Sequence, residues 1–196
     1  AHNSMTVTEG NTPSAVTLQT SNLQVTDAES SASALTYSLV SLPSDGTLRI
    51  NGAVATTSST FTQADIDAGR VTYTHNGAEN ATDSFVFNVA DGAGQTLGNT
   101  TFTINVTPVD DAPVQTTVDN GAITEGGTLT LSQTNLDFSD VDTANANIVF
   151  TVTSASLSEG TLTVNGSAIG VGGQFTQADI NAGRVVYTHN GTEPAA

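Results

Sequence analysis

The sequence predicts an all-β chain of two tandem Greek-key β-sandwiches, the second lacking its last strands. The first observation behind this is a repeat. Residues 61–77 read FTQADIDAGRVTYTHNG and residues 175–191 read FTQADINAGRVVYTHNG, an offset of 114 at which only Asp67/Asn181 and Thr72/Val186 differ. So long a period exceeds that of solenoid repeats, and each copy is a whole domain in a tandem array. The second observation is texture: Thr, Ser, Val, Asn and Gly dominate, aromatics are few and Trp is absent. The third is the apolar–polar alternation of half-buried strands in one short segment after another, with turn signals between them.

The elements follow in order. Met5-Thr6-Val7-Thr8-Glu9-Gly10 is a strand ending in an acid and a turn. Ala15–Leu18 and Leu23–Val25 are short alternating pieces, and Thr26-Asp27-Ala28-Glu29-Ser30 is a loop with two acids two residues apart. Leu35–Val40 is a strand, and Gly46–Gly52 is a strand running into an Asn-Gly hairpin turn. In the repeated motif Thr62 precedes Gln63-Ala64-Asp65, an N-cap with an acid three places on, so one helical turn starts there. Gly69 ends it in the left-handed conformation. Val71–Thr74 is then a strand, closed by Asn76-Gly77. Ser84–Val89, ending at a turn at Asp91-Gly92, and Thr100–Val106 complete the first domain.

Residues 1–109 form this first domain, 110–113 an acidic linker ending at Pro113, and 114–196 the second domain. A joint as short as Val109–Pro113, with a proline at each side, is stiff, and implies domains stacked end to end. Ile123–Gly126 matches Val7–Gly10, Leu136–Asp142 matches Leu23–Glu29, and Gly160–Gly166 matches Gly46–Gly52. Counterparts of the Phe85 and Phe102 strands are missing from the second copy. That predicts an unpaired sheet edge and exposed apolar surface, poorly ordered alone or completed by strands of another chain in a swapped dimer. The opening Ala1-His2-Asn3-Ser4-Met5 has neither the charged region nor the apolar core of a signal peptide, and reads as a fragment boundary.

Charge narrows the function. Nineteen acids stand against three arginines, and lysine is absent. Nucleic acid and anionic membrane surfaces, which require clustered Lys or Arg, are excluded as partners. Cysteine is absent too, so a secreted domain would need a staple other than disulfides, and metal ions are the candidate. No apolar run approaches membrane-spanning length.

The acids cluster at domain ends. Glu9, Asp27 and Glu29 lie at loop positions of domain one, as Glu125, Asp140 and Asp142 do in domain two, while Asp110 and Asp111 sit in the linker. Asp91 could add a further oxygen, although a hairpin turn accounts for it. Calcium takes six to eight oxygens from flexible loops, and converging carboxylates repel one another unless a cation sits among them. The linker acids are therefore expected to meet the Asp140/Asp142 loop and bind Ca2+; solvated turn acids are the alternative. Asp140-Val141-Asp142 lacks the acid and glycine that would continue an EF-hand, and Asp91-Gly92-Ala93-Gly94 is not the nonapeptide calcium-roll repeat. His75 and His189 have no second histidine or cysteine nearby and read as turn histidines bonded to backbone. Arg70 and Arg184 are expected to pair with acids such as Asp65 and Asp179. No nucleophile–base spacing, zinc-protease motif or phosphate loop occurs, so no enzyme is expected.

The run Phe-Thr-Gln-Ala-Asp-Ile-Asp-Ala-Gly-Arg-Val-x-Tyr-x-His-Asn-Gly, with Asp83-Ser84-Phe85 and Asp91-Gly92 after it, resembles the chondroitin sulfate proteoglycan repeat. This is a cadherin-like module, with an Ig-like sandwich fold, of animal matrix proteins and large bacterial surface adhesins. Val109-Asp110-Asp111-Ala112-Pro113 is similar to the acidic linkers of cadherin-type repeats, although it lacks their Asn-Asp-Asn spacing. The resemblance implies a Ca2+-rigidified extender or cell-adhesion segment, extracellular, whose partners are neighbouring repeats of the same protein. The absence of cysteine and the near-identical motifs favour a bacterial cell surface. The alternative is a module recognising polysaccharide or a second copy of itself, with Tyr37, Tyr73 and Tyr187 the available tyrosines.

Overall fold

A computed structural model describes residues 2–10, 15–154 and 158–192. The chain divides into two compact units, Ala1–Val109 and Asp110–Ala196.

Unit 1 comprises β1 (Ser4–Thr8), β2 (Val16–Thr17), β3 (Thr36–Ser41), β4 (Gly46–Ile50), β5 (Ala53–Val54), β6 (Thr60–Thr62), α1 (Gln63–Asp67), β7 (Val71–His75), β8 (Thr82–Ala90) and β9 (Thr96–Thr107). One sheet runs β1-β9-β8-β3-β6 and the other β2-β7-β4-β5. All neighbours are antiparallel except β1 and β9, which pair in parallel with Met5 opposite Ile104. The alternation sets the faces: in β7, Val71, Tyr73 and His75 are buried while Thr72 and Thr74 are not. The inner faces enclose one core, in which Tyr37 stacks on Phe61 and Phe85 on Phe102, at ring separations of 4.8 and 4.9 Å.

The alternating piece Leu23–Val25 does not form a strand. Leu23 makes an isolated bridge to Asn3, and residues 24–27 are irregular. Its match in unit 2 is a strand because a partner lies beside it, described next.

Unit 2 comprises β10 (Val114–Val118), β11 (Thr128–Thr130), β12 (Leu136–Ser139), β13 (Val149–Thr151), β14 (Gly160–Val164), β15 (Ser167–Ile169), β16 (Gln174–Thr176), α2 (Gln177–Asn181) and β17 (Val185–His189). Its sheets are β10-β12, β11-β17-β14-β15 and β13-β16. β10 pairs antiparallel with β12, Val118 opposite Leu136. β13 pairs with β16, Phe150 opposite Phe175, as β3 pairs with β6. In unit 1 the other edge of β3 meets β8; among the described residues of unit 2 no strand meets that edge of β13. The core follows suit. Phe175, Ile180 and Val185 are its buried centre, with Leu136, Phe150 and Leu162 only half-buried against it.

The repeated motif folds alike in both units. Thr62 caps α1, its hydroxyl accepting from the Asp65 N–H at 3.2 Å while the Asp65 carboxylate accepts from the Thr62 N–H at 2.9 Å. Thr176 and Asp179 reproduce this at 3.1 and 3.0 Å. Arg70 and Arg184 pair with Asp65 and Asp179 at 3.3 and 3.5 Å. Asn51-Gly52 and Asn165-Gly166 form the expected turns with positive φ at each residue.

Candidate functional site

Asp110, Asp111, Asp140 and Asp142 lie at the loop that follows β12 and the segment before β10. Asp140 turns this loop: its Oδ1 accepts from the backbone N–H of Asp142 at 2.9 Å and of Thr143 at 2.6 Å. Its other oxygen, Oδ2, is buried and has no hydrogen-bond partner. The Asp142 carboxylate accepts from the Asp111 N–H at 2.7 Å, fixing the segment before β10 against the loop. Asp110, Asp111 and Asp140 line one hollow together with Pro113, Phe138, Thr143 and Asn147. Three of the nine candidate ligands thus line one hollow, with Asp142 at the same loop; among the described residues no three of these four carboxylates have oxygens within 4.8 Å of one another. The donor set is all oxygen, as calcium requires, and the bare buried oxygen of Asp140 is what a cation would satisfy.

In unit 1 the candidates fall into two groups. Asp27 repeats the role of Asp140, accepting from Glu29 N–H at 2.9 Å and Ser30 N–H at 2.7 Å. It shares a hollow with Asp91, Val25, Leu35 and Leu97. Asp91 caps its hairpin turn by accepting from Ala93 and Gln95 N–H groups, which is the turn role the sequence indicated. Asp27 and Glu29 are both exposed.

Glu9 is different: it is buried, its Oε2 accepts from the Val109 N–H at 3.0 Å, and its Oε1 has no hydrogen-bond partner. Glu79, which the sequence did not single out, brings a carboxylate oxygen within 4.8 Å of it. Glu125, the counterpart of Glu9, is exposed.

The histidines are turn clamps, not ligands of a shared centre. His75 Nδ1 accepts from the N–H groups of Gly10 and Gly77 at 3.4 and 3.2 Å, and His189 Nδ1 accepts from Gly126 and Gly191 at 3.2 and 3.1 Å. Each holds the acid-bearing turn, Glu9-Gly10 or Glu125-Gly126, against the end of its strand. Tyr37 and Tyr73 are fully buried and offer no platform for a sugar ring.

A family model described as Cadherin-like matches residues 1–106 and again 113–196. The chain is 35% identical over 183 residues to the human FRAS1-related extracellular matrix protein 2, covering 86% of this chain and 6% of that protein. It is 32% identical over 179 residues to the human extracellular matrix organizing protein FRAS1, covering 89% of the chain and 4% of the relative. To human chondroitin sulfate proteoglycan 4 it is 30% identical over 161 residues, 81% of the chain and 7% of the relative. The chain therefore spans less than a tenth of the length of these relatives. Among the described residues no helix is long and apolar enough to cross a membrane.

Proposed function

The chain belongs to the cadherin-like family, and from that premise we propose that it is a non-enzymatic, extracellular tandem-repeat segment stiffened by calcium. Its role is structural or adhesive, as in matrix proteins of the kind its relatives' names describe. One observation carries the calcium reading: the buried, unpartnered Oδ2 of Asp140, in a hollow lined also by Asp110 and Asp111. Asp142 stands at the same loop and already grips the Asp111 backbone. A divalent cation there neutralises carboxylates that otherwise repel, and ties residues 110–111 to the loop at 140–142. The absence of cysteine and of lysine favours a bacterial surface as the setting.

The test is a thermal melt of the chain with calcium, with magnesium and with chelator. A ligand bound only by the folded state at about a hundred times its Kd adds roughly 2.7 kcal/mol, which is several degrees. We expect a calcium-specific rise that disappears in the Asp140→Asn and Asp142→Asn variants. An unchanged melting temperature at millimolar calcium refutes the reading.

A second role, pairing of unit 2 with another chain, is favoured by the edge of β13, which no strand meets among the described residues, and by the exposure of Val149, Val114 and Val118, each more than half exposed.

A further inference from the structure

The glutamine of the repeated motif has a task that its local sequence does not reveal. Gln177 is fully buried, and its Oε1 accepts from the Phe138 N–H at 2.9 Å. Phe138 is two residues ahead of Asp140, in β12 just before the acid loop. The Gln177 backbone N–H donates to the Ile148 carbonyl at 3.0 Å, and the Ala178 N–H to the Asn145 carbonyl at 3.1 Å, where the same loop ends. One residue therefore holds both ends of the segment that carries Asp140, Asp142 and Thr143.

Unit 1 repeats the arrangement. Gln63 Oε1 accepts from the Val25 N–H at 2.9 Å, and the N–H groups of Gln63 and Ala64 donate to the carbonyls of Leu35 and Ala32 at 3.0 and 3.1 Å. There the side chain also accepts from the Tyr37 hydroxyl at 2.6 Å. In unit 2 Phe150 stands opposite Phe175 where Tyr37 stands opposite Phe61, so that hydroxyl is gone. What both copies keep is the grip on the acid loop, and the amide nitrogen is anchored in both, by Asp67 Oδ1 and Asn181 Oδ1 at 2.9 Å.

We propose that Gln177, and Gln63 in its own unit, is a positioning residue for cation binding: a clamp that fixes the span and register of the carboxylate loop. The proposal rests on the calcium reading above. Hydrogen bonds that orient ligating groups are worth about 10- to 100-fold in metal affinity when removed. A capping residue alone would not explain burial of an amide, because Thr176 and Asp179 already complete the cap.

The test follows the amide NMR signals of Asp142 and Thr143 as calcium is titrated into the whole chain. Gln177→Met, which keeps the volume and removes the amide, is expected to weaken binding at these signals at least about tenfold. Gln63→Met, in the other unit, is expected to stay within about twofold at these signals, although it lowers the melting temperature. A folded Gln177→Met chain that binds calcium as the parent does overturns the clamp and leaves the calcium reading intact. A parent chain that binds no calcium overturns both. If Gln177→Met fails to fold, hydrogen exchange at the Phe138 amide of the parent chain decides. Slowing on calcium together with the Asp142 and Thr143 amides supports the clamp, and no change at Phe138 refutes it.

Discussion

The Tyr73 hydroxyl donates to Asp83 Oδ2 at 2.7 Å, with both residues buried, across the end of unit 1. The same carboxylate accepts from the N–H groups of Ser44, Asp45 and Ser84 at 2.9, 3.1 and 2.8 Å. One acid thereby fastens β7, β8 and the turn before β4. Burial first, and then the Asp83 carboxylate, push the Tyr73 hydroxyl far above its ordinary pKa, so it stays a donor. Asp83→Ala leaves three N–H groups and a hydroxyl without their acceptor. We expect a loss of about 3 kcal/mol or more in the unit 1 transition of a denaturant melt. Tyr73→Phe, which removes one bond and leaves the rest, should cost about 1 kcal/mol.

Gly46 lies directly under that ring: a Cβ built there would overlap the Tyr73 ring and hydroxyl, as one at Gly160 would overlap Tyr187. The requirement is space, since the tyrosine must pass flat over the neighbouring strand to reach its partner. Gly46→Ala is expected to destabilise unit 1 by about 2–3 kcal/mol through overpacking. Gly98→Ala, in the same unit with open space around it, should change the melting temperature little.

Much of this fold was legible along the chain because the signals are local. Thr62 and Asp65 sit three residues apart, and the Val71–His75 alternation and the Asn51-Gly52 turn each need only their own neighbours. The failures are long-range. Leu23–Val25 has the pattern of a strand but no partner along residues 24–27, whereas Leu136–Ser139 has β10 beside it. Asp110, Asp111 and Asp140, which line one hollow, were singled out by charge alone. Gln63, Gln177 and Glu79 were not, because their partners are set by the sandwich. The Phe138–Gln177 bond spans 39 residues. The one available signal was a glutamine retained in both copies at a position where capping does not require it.

The two capping boxes make stability depend on acid. The Thr62 backbone N–H bonded to the Asp65 carboxylate, with help from the Thr62 hydroxyl and Arg70, holds that group below its ordinary value of 3.8, and Thr176 does the same for Asp179. A carboxylate depressed in the folded state contributes stability above its unfolded pKa and loses it as the pH falls through the folded value. The Asp65→Asn/Asp179→Asn double variant should therefore melt lower at neutral pH and show a shallower decline below about pH 4. At the alkaline end the sign reverses. Burial raises the Tyr37 hydroxyl to about 12, so its contribution is intact below about pH 10 and is lost as the pH rises toward 12. Tyr37→Phe should flatten that alkaline limb in melts followed by circular dichroism.

The last prediction concerns the edge of β13 that no strand meets among the described residues. An edge with unpaired N–H and C=O groups beside apolar side chains is a template for another strand. In unit 1 the equivalent edge of β3 is occupied by β8, with Tyr37 opposite Val89 and Leu39 opposite Phe87. By register, Phe150 and Val152 stand at β13 where Tyr37 and Leu39 stand at β3, while Val149 takes the place of Thr36 and is exposed. A second copy of the chain can supply one by antiparallel pairing of the two edges. Sedimentation velocity should then show a monomer–dimer equilibrium that shifts with protein concentration. Val149→Lys, which places a charge on the exposed edge, should move the chain to monomer without lowering the unit 1 melting temperature. A parent chain that stays monomeric at high micromolar concentration rejects self-pairing. A dimer that survives Val149→Lys places the contact somewhere other than this edge.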